Sequence, residues 1–273
     1  AQMLNLISTP IGNLDDISLR AIDVIKSSDY IYAEDTRSFK KILKHIKCEK
    51  ICKSFHEHNE EKISKEIIKL LKNGKNIVLA CEAGTPAISD PGYKLIREIN
   101  NLNIRYTLLP GPSAVINALV ISGLPTDKFS FYGFIPRKVN AKEELFKKIA
   151  IENKTSICFE SIKRLEDSLK TLSKFIDTER KISVCREMTK AHEQIVTDNC
   201  KNVLKEIYDG NIPLKGEVVL IVEGESNKKF NVKIDNKIKQ EFLSKMSTSE
   251  AAKLISLLTK QNKRDIYKFL KES

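Results

Sequence analysis

Three turns rich in glycine and proline carry much of the polar chemistry in the first half of this sequence. They read T-P-I-G-N-L at 9–14, C-E-A-G-T-P-A-I-S-D-P-G-Y at 81–93 and P-G-P-S-A at 110–114. Glycine lets the backbone approach a ligand closely, proline stiffens the chain, and Glu82 and Asp90 offer acceptor oxygens. Because no turn matches G-x-G-x-x-G or G-x-x-x-x-G-K-[ST], neither a dinucleotide nor a nucleoside triphosphate is supported. The turns favour a ligand without a phosphate chain.

Short apolar runs precede these turns, and helical patterns follow them. Leu4 to Ser8, Tyr30 to Ala33 and residues 77–81 are strand-like, and the apolar residues from Leu14 to Ile25 recur at helical spacing. This alternation is typical of a parallel β-sheet covered by helices. Ligands of such sheets bind outside the carboxyl ends of the strands, so the three turns and E-D-T-R at 34–37 are expected to line one crevice. Each turn taken alone is also compatible with an ordinary tight turn.

Helix signals predict several further elements. Asp90 is placed to cap a helix that begins at Pro91. S-T-S-E at 247–250 matches a capping box and predicts a tail helix, with a second short helix pairing with it. One helical stripe is interpreted as core because its members are all apolar at helical spacing. These residues are Ile162, Leu165, Leu169, Leu172 and Ile176.

Turn signals divide the chain into three predicted parts. S-G-L-P-T-D at 122–127 marks a junction, after which a second set of strands begins. We therefore predict two α/β domains, at 1–121 and 122–226. Residues 227–273 are predicted to form a polar segment and a basic helical tail, and residues 225–239 an irregular edge or linker.

The composition indicates a globular protein with an anionic partner. The 273 residues contain 47 Lys and Arg against 36 Asp and Glu, a formal net charge of +11. This excess favours nucleic acid as a partner, although lysine richness can also reflect genome composition. No apolar stretch approaches the roughly 20 residues that span a bilayer, and the N-terminus lacks signal-peptide features, so we expect a cytoplasmic protein.

The cysteines do not form the dense framework of a disulfide-rich protein. Cys81, Cys158 and Cys185 lie in or at the end of apolar runs and are predicted to be buried and free. Four other side chains of zinc-ligand type lie within eleven residues, but their spacing is not that of a standard finger or ribbon. They are Cys48, Cys52, His56 and His58. Ordinary loop residues are the favoured interpretation, and a metal site is the alternative.

A series of seven motifs carries a resemblance to a known family. The motifs are S-T-P-I-G-N-L-D-D-I-S-L-R-A, A-E-D-T-R, H-E-H-N-E, E-A-G-T-P-A-I-S-D-P-G-Y, P-G-P-S-A, S-G-L-P-T-D-K-F-S-F-Y-G-F-I-P and R-E-M-T-K-A-H-E. In order from about residue 4 to 224, they resemble the bacterial 16S rRNA cytidine 2'-O-methyltransferases of the tetrapyrrole methylase superfamily. The resemblance implies S-adenosylmethionine in the cleft between two α/β domains, usually in a homodimer. It also implies methyl transfer to the ribose 2'-hydroxyl of a cytidine in the decoding region of 16S rRNA, within the small ribosomal subunit.

The resemblance also implies which residues contact the cofactor. They are Pro10, Gly12, Glu82, Gly84, Thr85, Pro86, Ile88, Pro112, Ser113 and Ala114. One of them departs from the family pattern, which usually has Asp before A-G-T-P where this chain has Glu82. The additional methylene displaces the carboxylate, so a role that depends on fine placement is weakened, whereas charge and acceptor capacity remain.

Methyl transfer to a hydroxyl requires in-line approach and a group that removes or polarises the proton. The predicted catalytic residues are Glu160, Glu187, Lys190 and Glu193, with His192, Glu34 and Asp35 as further candidates. The predicted RNA contacts are Arg37, Arg186, Lys263 and Arg264. An acid beside a lysine, as in R-E-M-T-K, is more often a member of a structural ion pair than a base.

Two alternative functions stay open at this point. A tetrapyrrole methylase would require a first turn of the G-x-G-P-G type, which T-P-I-G-N-L does not match. A non-catalytic RNA-binding or ribosome-assembly factor would keep the fold but bind no S-adenosylmethionine. Cofactor binding therefore discriminates between an enzyme and a scaffold.

Overall fold

The computed structural model describes residues 3–225, 236–259 and 262–271, in two compact units. The first unit ends at Gly224 and the second begins at Glu225. The first unit holds two five-stranded sheets. The boundary predicted at 226/227 lies outside the described residues, and so does most of the linker predicted at 225–239.

The first sheet is entirely parallel, as predicted, with the strand order β3-β2-β4-β1-β5. Its strands are β1 (Met3–Ile7), β2 (Tyr30–Ala33), β3 (Cys52–Ser54), β4 (Asn76–Ala80) and β5 (Tyr106–Leu109). Its helices are α1 (Leu19–Ser27), α2 (Thr36–His45), α3 (Glu60–Lys72), α4 (Tyr93–Asn101) and α5 (Ala114–Ile121). Buried side chains of α1 and α2 pack on one face, and those of α3 and α4 pack on the other. Both faces are thus covered, which explains the continuous apolar runs of the strands.

The second sheet is mixed, with the strand order β6-β7-β10-β8-β9, and only β6 and β7 are parallel. Its strands are β6 (Phe129–Phe134), β7 (Thr155–Ser161), β8 (Lys181–Arg186), β9 (Gln194–Asn199) and β10 (Glu217–Val222). The helices α6 (Val139–Ile151), α7 (Leu165–Leu172) and α8 (Cys200–Tyr208) contribute to the apolar core on one face. The stripe from Ile162 to Ile176 is buried in this core, as predicted.

A fourth apolar cluster joins the two halves of the first unit. Val115, Ala118 and Leu119 of α5 pack there with Val219 and Ile221 of β10. The junction predicted at 121/122 coincides with the end of α5. This helix, the last of the first half, packs on the second sheet. The division into two domains at that position remains a prediction.

The second unit contains the helices α9 (Asn236–Leu243), α10 (Thr248–Thr259) and α11 (Lys263–Lys271). The predicted capping box is confirmed, because Ser247 and Glu250 exchange side-chain-to-backbone hydrogen bonds of 3.1 and 3.3 Å. The predicted pairing of α10 with α11 is confirmed by a shared apolar cluster that includes Ile255, Ile266 and Leu270. Helix α9 was not predicted, since 236–239 was interpreted as linker. No helix in the described ranges has the length and apolar character needed to cross a membrane.

The cysteine predictions are confirmed for the buried positions. Cys81, Cys158 and Cys185 are buried, and all six cysteines are free thiols. Within the described residues no group of three or more His, Cys, Asp or Glu side chains is arranged to hold a metal ion. The interpretation as loop residues is wrong for Cys52, which lies in strand β3.

Candidate active site

A cavity of about 460 Å³ in the first unit is lined by residues of both halves. Its walls consist of residues 82–85, 88–90, 113–115, 159–163 and 216–219, together with Ile11, Phe134, Cys185 and Met188. The first three of these segments belong to the turns that follow β4 and β5. The predicted crevice at the carboxyl ends of the parallel strands is therefore present, and the second sheet closes its other side. Residues 34–37, which were expected to line it as well, are not on its wall.

Direct contacts hold the three glycine-rich and proline-rich turns together. Thr9 and Gly84 form an antiparallel bridge with backbone hydrogen bonds of 2.9 and 3.0 Å. The hydroxyl of Thr85 donates to the carbonyl of Pro112 at 3.3 Å and lies 3.4 Å from the Ser8 hydroxyl. Gly84 has a φ of +82°, a conformation that favours glycine. One glycine thus lets the second turn meet both others.

Six of the ten predicted cofactor residues lie on the cavity wall. They are Glu82, Gly84, Thr85, Ile88, Ser113 and Ala114. The other four, Pro10, Gly12, Pro86 and Pro112, lie in the same turns but not on the wall. Ser113 also accepts a hydrogen bond from the Ile116 backbone at 3.5 Å and so caps α5.

Gly12 makes a different contact, with the loop that follows β8. A Cβ atom at Gly12 would lie 2.6 Å from Lys190 Cγ and Thr189 Oγ1, and 2.8 Å from the Met188 carbonyl oxygen. Only a residue without a side chain permits this approach. Gly12 therefore brings the first turn against the segment that carries several predicted catalytic residues.

Aromatic rings form a part of the wall that the sequence analysis did not identify. The rings of Phe134 and Phe159 meet edge to face with centroids 5.3 Å apart, and Phe131 packs on Phe159 at 4.9 Å. Phe134 is 62% exposed, so its ring is available to a ligand. The aromatic residues of F-S-F-Y-G-F at 129–134, in a segment predicted to begin the second set of strands, carry the sequence signal. Exposed aromatic faces suit a planar ring such as a nucleobase.

Asp90 does not cap a helix, contrary to the prediction. Helix α4 begins at Tyr93 rather than Pro91, and its N-cap is Gly92, with a φ of +122°. The Gly92 N–H donates to Glu60 Oε1 at 3.0 Å, so a carboxylate of α3 takes the position expected for Asp90. Asp90 lines the cavity instead.

The surroundings of Asp90 make its carboxyl an unusual acid. Burial, followed by the negative charge of Glu34, raises the pKa of Asp90 to about 6. Burial also raises the pKa of Glu34, at the end of β2, although the Glu82 backbone N–H donates to it at 3.4 Å. The Cys81 thiol is hydrogen-bonded to Asp90 and lowers its pKa by stabilising the anion, whereas the negative charge of Glu82 raises that pKa. A carboxyl with such a pKa is mostly ionised at neutral pH but accepts a proton more readily than an ordinary aspartate.

Glu160 is buried and fully engaged by neighbouring groups. Its side chain is 0% exposed and pairs with the guanidinium of Arg164. The Ser161 backbone N–H donates to Glu160 Oε1 at 2.6 Å, and the Ser168 hydroxyl donates to Oε2. Three donors therefore hold this carboxylate, which suits a structural anchor of the wall.

The predicted catalytic residues of the loop after β8 form an ion-pair network. Lys190 Nζ lies 2.9 Å from Glu187 Oε1 and 2.8 Å from Glu217 Oε2. Glu187 Oε1 also accepts the Glu217 backbone N–H at 2.8 Å. Burial alone would lower the pKa of Lys190, but the carboxylates of Glu217 and Glu187 raise it by a larger amount. The pKa of Lys190 is therefore raised, and its ammonium group stays charged. Glu217, on the cavity wall, was missed by the sequence analysis.

The remaining candidates of this loop hold its shape. Glu193 Oε2 accepts the Thr189 backbone N–H at 2.7 Å. Arg186 is buried and donates to Gln194 Oε1 and to the carbonyls of Lys215 and His192. These bonds occupy the guanidinium that was predicted to contact RNA.

The other predicted RNA contacts are exposed. Arg37 lies in the first turn of α2, beside Asp35, whose carboxylate caps that helix at 2.7 Å from the Arg37 backbone nitrogen. Lys263 and Arg264 begin α11, in the second unit, with exposed side chains. Their exposure suits contact with phosphates.

Comparison with known proteins places these features in a family context. The model of the family described as Tetrapyrrole (Corrin/Porphyrin) Methylases matches residues 3–204. Proteins named Ribosomal RNA small subunit methyltransferase I are similar to most of the chain. The protein from Haemophilus influenzae is 37% identical, over 98% of this chain and 95% of the relative's chain. The protein from Rickettsia prowazekii is 43% identical, over 86% of this chain and 80% of the relative's chain.

Two solved structures share the fold at low sequence identity. A cobalt precorrin-4 methyltransferase has a TM-score of 0.61 at 15% identity, covering 81% of this chain and 95% of its own. The uroporphyrin-III-C-methyltransferase from Thermus thermophilus has a TM-score of 0.57 at 14% identity, covering 82% and 94%. At such identities the likeness concerns the fold alone.

Proposed function

The chain belongs to the family of tetrapyrrole (corrin/porphyrin) methylases. Within this family, we propose that it methylates ribosomal RNA of the small subunit. The chain is an S-adenosylmethionine-dependent methyltransferase. The observation that carries the choice of RNA over a tetrapyrrole is its similarity, along nearly its whole length, to proteins named as small-subunit rRNA methyltransferases. The excess of 47 basic over 36 acidic residues supports a polyanionic substrate.

The finer proposal concerns the position of the methyl group. We infer that the acceptor is the ribose 2'-hydroxyl of a cytidine in the decoding region of 16S rRNA, presented within the small ribosomal subunit. The ordered motif series from residue 4 to 224 supports this choice. We also propose that the protein acts in the cytoplasm and that it forms a homodimer. Light scattering in solution tests the homodimer directly.

The residues of the cleft fit the cofactor in size and chemistry. A cavity of about 460 Å³ is large enough for a nucleoside and its amino-acid chain, and its aromatic and apolar walls suit an adenine ring. The wall includes four acidic residues, Glu82, Asp90, Glu160 and Glu217, but only one lysine, Lys163, which suits a cationic ligand. When bound, S-adenosylmethionine supplies a methyl group on a positively charged sulfur.

The turns are the proposed holders of the cofactor, and the loop after β8 faces the substrate. In this proposal Gly84, Thr85 and Ser113 contact the cofactor where the three turns meet. Lys190, which stays protonated between two carboxylates, polarises the attacking hydroxyl or contacts a neighbouring phosphate. Glu160 and Glu193 position the wall and the loop rather than transfer protons.

A labelling experiment tests the proposed function. Purified protein and methyl-labelled S-adenosylmethionine are incubated with small subunits from cells that lack the modification and with subunits that already carry it. We expect label only in the former, in a dinucleotide that resists alkali because its 2'-hydroxyl is blocked. Absence of label, while another rRNA methyltransferase labels the same subunits, would refute the proposal. Label on a different nucleotide would refute only the finer assignment.

A further inference from the structure

We propose that the carboxylate of Asp90 accepts the proton of the attacking hydroxyl, as a catalytic residue of the cleft. The inference rests on the methyltransferase function proposed above and assigns the base that the sequence left open. Asp90 becomes a candidate because it lines the cavity and does not cap α4, which begins at Tyr93 and has Gly92 as its N-cap.

Two of the other three acids of the wall are less suited to this role because neighbouring groups hold them, and the third, Glu82, is exposed to solvent. The carboxylate of Glu160 has no exposed surface and is held by Arg164, Ser161 and Ser168. Glu217 is paired with the Lys190 ammonium at 2.8 Å, so a cation occupies its Oε2. A proton acceptor requires a lone pair that faces the reacting hydroxyl and that no cation holds.

Asp90 meets this requirement among the described residues. Within the part of the chain that the structure describes, no Lys or Arg forms an ion pair with Asp90. The charged or titratable groups that face it are Glu34 from the end of β2, and Cys81 and Glu82 from the end of β4. Two of them are acids, so their combined field favours proton uptake by Asp90. A pKa of about 6 then leaves the carboxylate ionised at neutral pH but still basic.

The backbone around Asp90 is held in an unusual conformation, which fixes the carboxyl. Ala87 and Ser89 both have a φ of +63°, in the left-handed region that such residues rarely adopt. The segment is tethered at Gly84 by the bridge to Thr9 and at Gly92 by the bond to Glu60. Backbone strain that surrounding contacts maintain is typical of sites where a side chain must be aimed.

The proposed step conserves atoms and charge. The hydroxyl oxygen forms a bond to the methyl carbon with one lone pair, while the carbon–sulfur bond breaks and its electrons remain on sulfur. The O–H bond breaks with its electrons left on the oxygen, and the proton passes to Asp90. A neutral thioether, a methyl ether and a protonated carboxyl result. The carboxyl then returns its proton to water in the open cavity.

The variant Asp90→Asn tests the assignment. It keeps the size of the side chain and removes its basicity. We expect its turnover at saturating S-adenosylmethionine to fall by about 10²–10⁴-fold, the usual contribution of a positioned base. Its affinity for S-adenosylmethionine, measured by calorimetry, should change by less than about threefold. The wild-type rate should fall as pH drops below about 6, and the residual rate of the variant should lack this dependence.

A spectroscopic measurement provides a readout that does not depend on turnover. In protein with ¹³C-labelled aspartate carboxyls, the resonance that Asp90→Asn removes should titrate with a midpoint near 6. Asp23→Asn, which neutralises an exposed carboxyl of α1, is the matched control and should keep the wild-type rate.

Three results would overturn the assignment or its premise. If Asp90→Asn loses affinity for S-adenosylmethionine but keeps its turnover at saturating cofactor, Asp90 is a cofactor-binding residue and not the base. An Asp90→Asn variant that keeps more than about a tenth of the turnover would exclude it as the base. A wild-type protein that binds S-adenosylmethionine but labels no rRNA would refute the proposed function itself, and the role of Asp90 with it.

Discussion

Thr9 and Gly84 exchange two backbone hydrogen bonds, of 2.9 and 3.0 Å, outside the regular strands of the protein. The bridge joins the turn after β1 to the turn after β4, which are neighbouring strands of the first sheet. Each partner satisfies the donor and acceptor of the other, so the two turns behave as one surface. A change at either position therefore acts on the shape of the cleft rather than on one contact.

The substitution Gly84→Ala should damage the cleft more than the fold. The space around Gly84 accepts a methyl group, since its nearest neighbour would be Ile11 Cγ2 at 3.5 Å. The φ of +82° is unfavourable for alanine, however, and we expect a loss of about 1–2 kcal/mol in stability. Calorimetry should show S-adenosylmethionine binding weakened by about tenfold, equivalent to about 1.4 kcal/mol.

Gly210→Ala is the control for this prediction. Gly210 has a φ of +77° and no atom within 4 Å of a Cβ, and it does not line the cavity. It should lose similar stability in chemical denaturation but keep its cofactor affinity. Equal loss of affinity in both variants would show that the effect of Gly84→Ala is global.

Gly12→Ala tests the contact between the two halves of the cleft. The new methyl group would lie 2.6 Å from Lys190 Cγ and 2.8 Å from the carbonyl oxygen of Met188, and a backbone atom cannot simply rotate away. The first turn and the loop after β8 must therefore separate. We expect turnover to fall by about 10²-fold, because misplacement of reacting groups by an ångström has effects of this size. Wild-type turnover in this variant would show that the close approach is not needed.

The position of the site could be predicted from the sequence because it follows from two regular features. Apolar runs alternating with helical patterns specify a parallel sheet, and the turns at the carboxyl ends of its strands must share one edge. Gly84 and Ser113 were assigned to one crevice on this basis, and both line the cavity. The predicted strand Tyr30–Ala33 has the predicted bounds for the same reason: it is a continuous buried run.

The roles of individual side chains depended on contacts between distant residues. D-P-G satisfies the local rules for a helix start, yet Glu60 of α3 supplies the carboxylate that binds the Gly92 N–H. No local pattern marks Glu217, because its role depends on the ion pair with Lys190, which lies in the loop after β8. Strand β9 was missed because it is a partly exposed edge strand whose sequence, Q-I-V-T-D-N, is largely polar.

The raised pKa of Asp90 predicts that this residue destabilises the folded protein. The pKa is about 6 in the folded state against 3.8 in the unfolded chain, so the folded state binds the proton more tightly. Stability is therefore lost as pH rises from about 4 through 6. Asp90→Asn removes the charge and should be more stable than the wild type at pH 8 by about 1 kcal/mol, once solvent screening is allowed for.

Urea denaturation at pH 5 and pH 8 measures this effect. The advantage of Asp90→Asn should shrink at pH 5, where the wild-type carboxyl is largely protonated. Asp23→Asn should gain no such advantage at pH 8, because Asp23 is exposed on α1. A variant less stable than the wild type at pH 8 would mean that the Asp90 anion is stabilised in the folded state.

The ion pair between Glu187 and Lys190 predicts a non-additive pair of substitutions. Lys190→Met leaves the half-buried Glu187 carboxylate without its cation and should reduce stability by about 1–3 kcal/mol. Glu187→Gln in the same chain removes the unpaired charge and should recover part of that loss, which a double-mutant cycle quantifies. Turnover should fall in both single variants far more than cofactor affinity. Additive stability losses would show that the pair is not coupled.

Removing the two exposed cations at the start of α11 should weaken RNA binding uniformly. Lys263→Ala with Arg264→Ala is expected to lower affinity for small-subunit rRNA by about 3–10-fold near physiological salt, and to reduce the slope of log affinity against log salt by about 1–2. Binding titrations across salt concentrations measure both quantities.

Cofactor binding provides the internal check on this tail variant, since both residues lie outside the first unit. Its affinity for S-adenosylmethionine should equal that of the wild type. The matched variant Lys201→Ala with Lys205→Ala removes the same charge from the exposed side of α8 and should leave the rRNA affinity unchanged. If both double variants lose affinity equally, total charge governs RNA binding, and if neither does, α11 is not part of the RNA-binding surface.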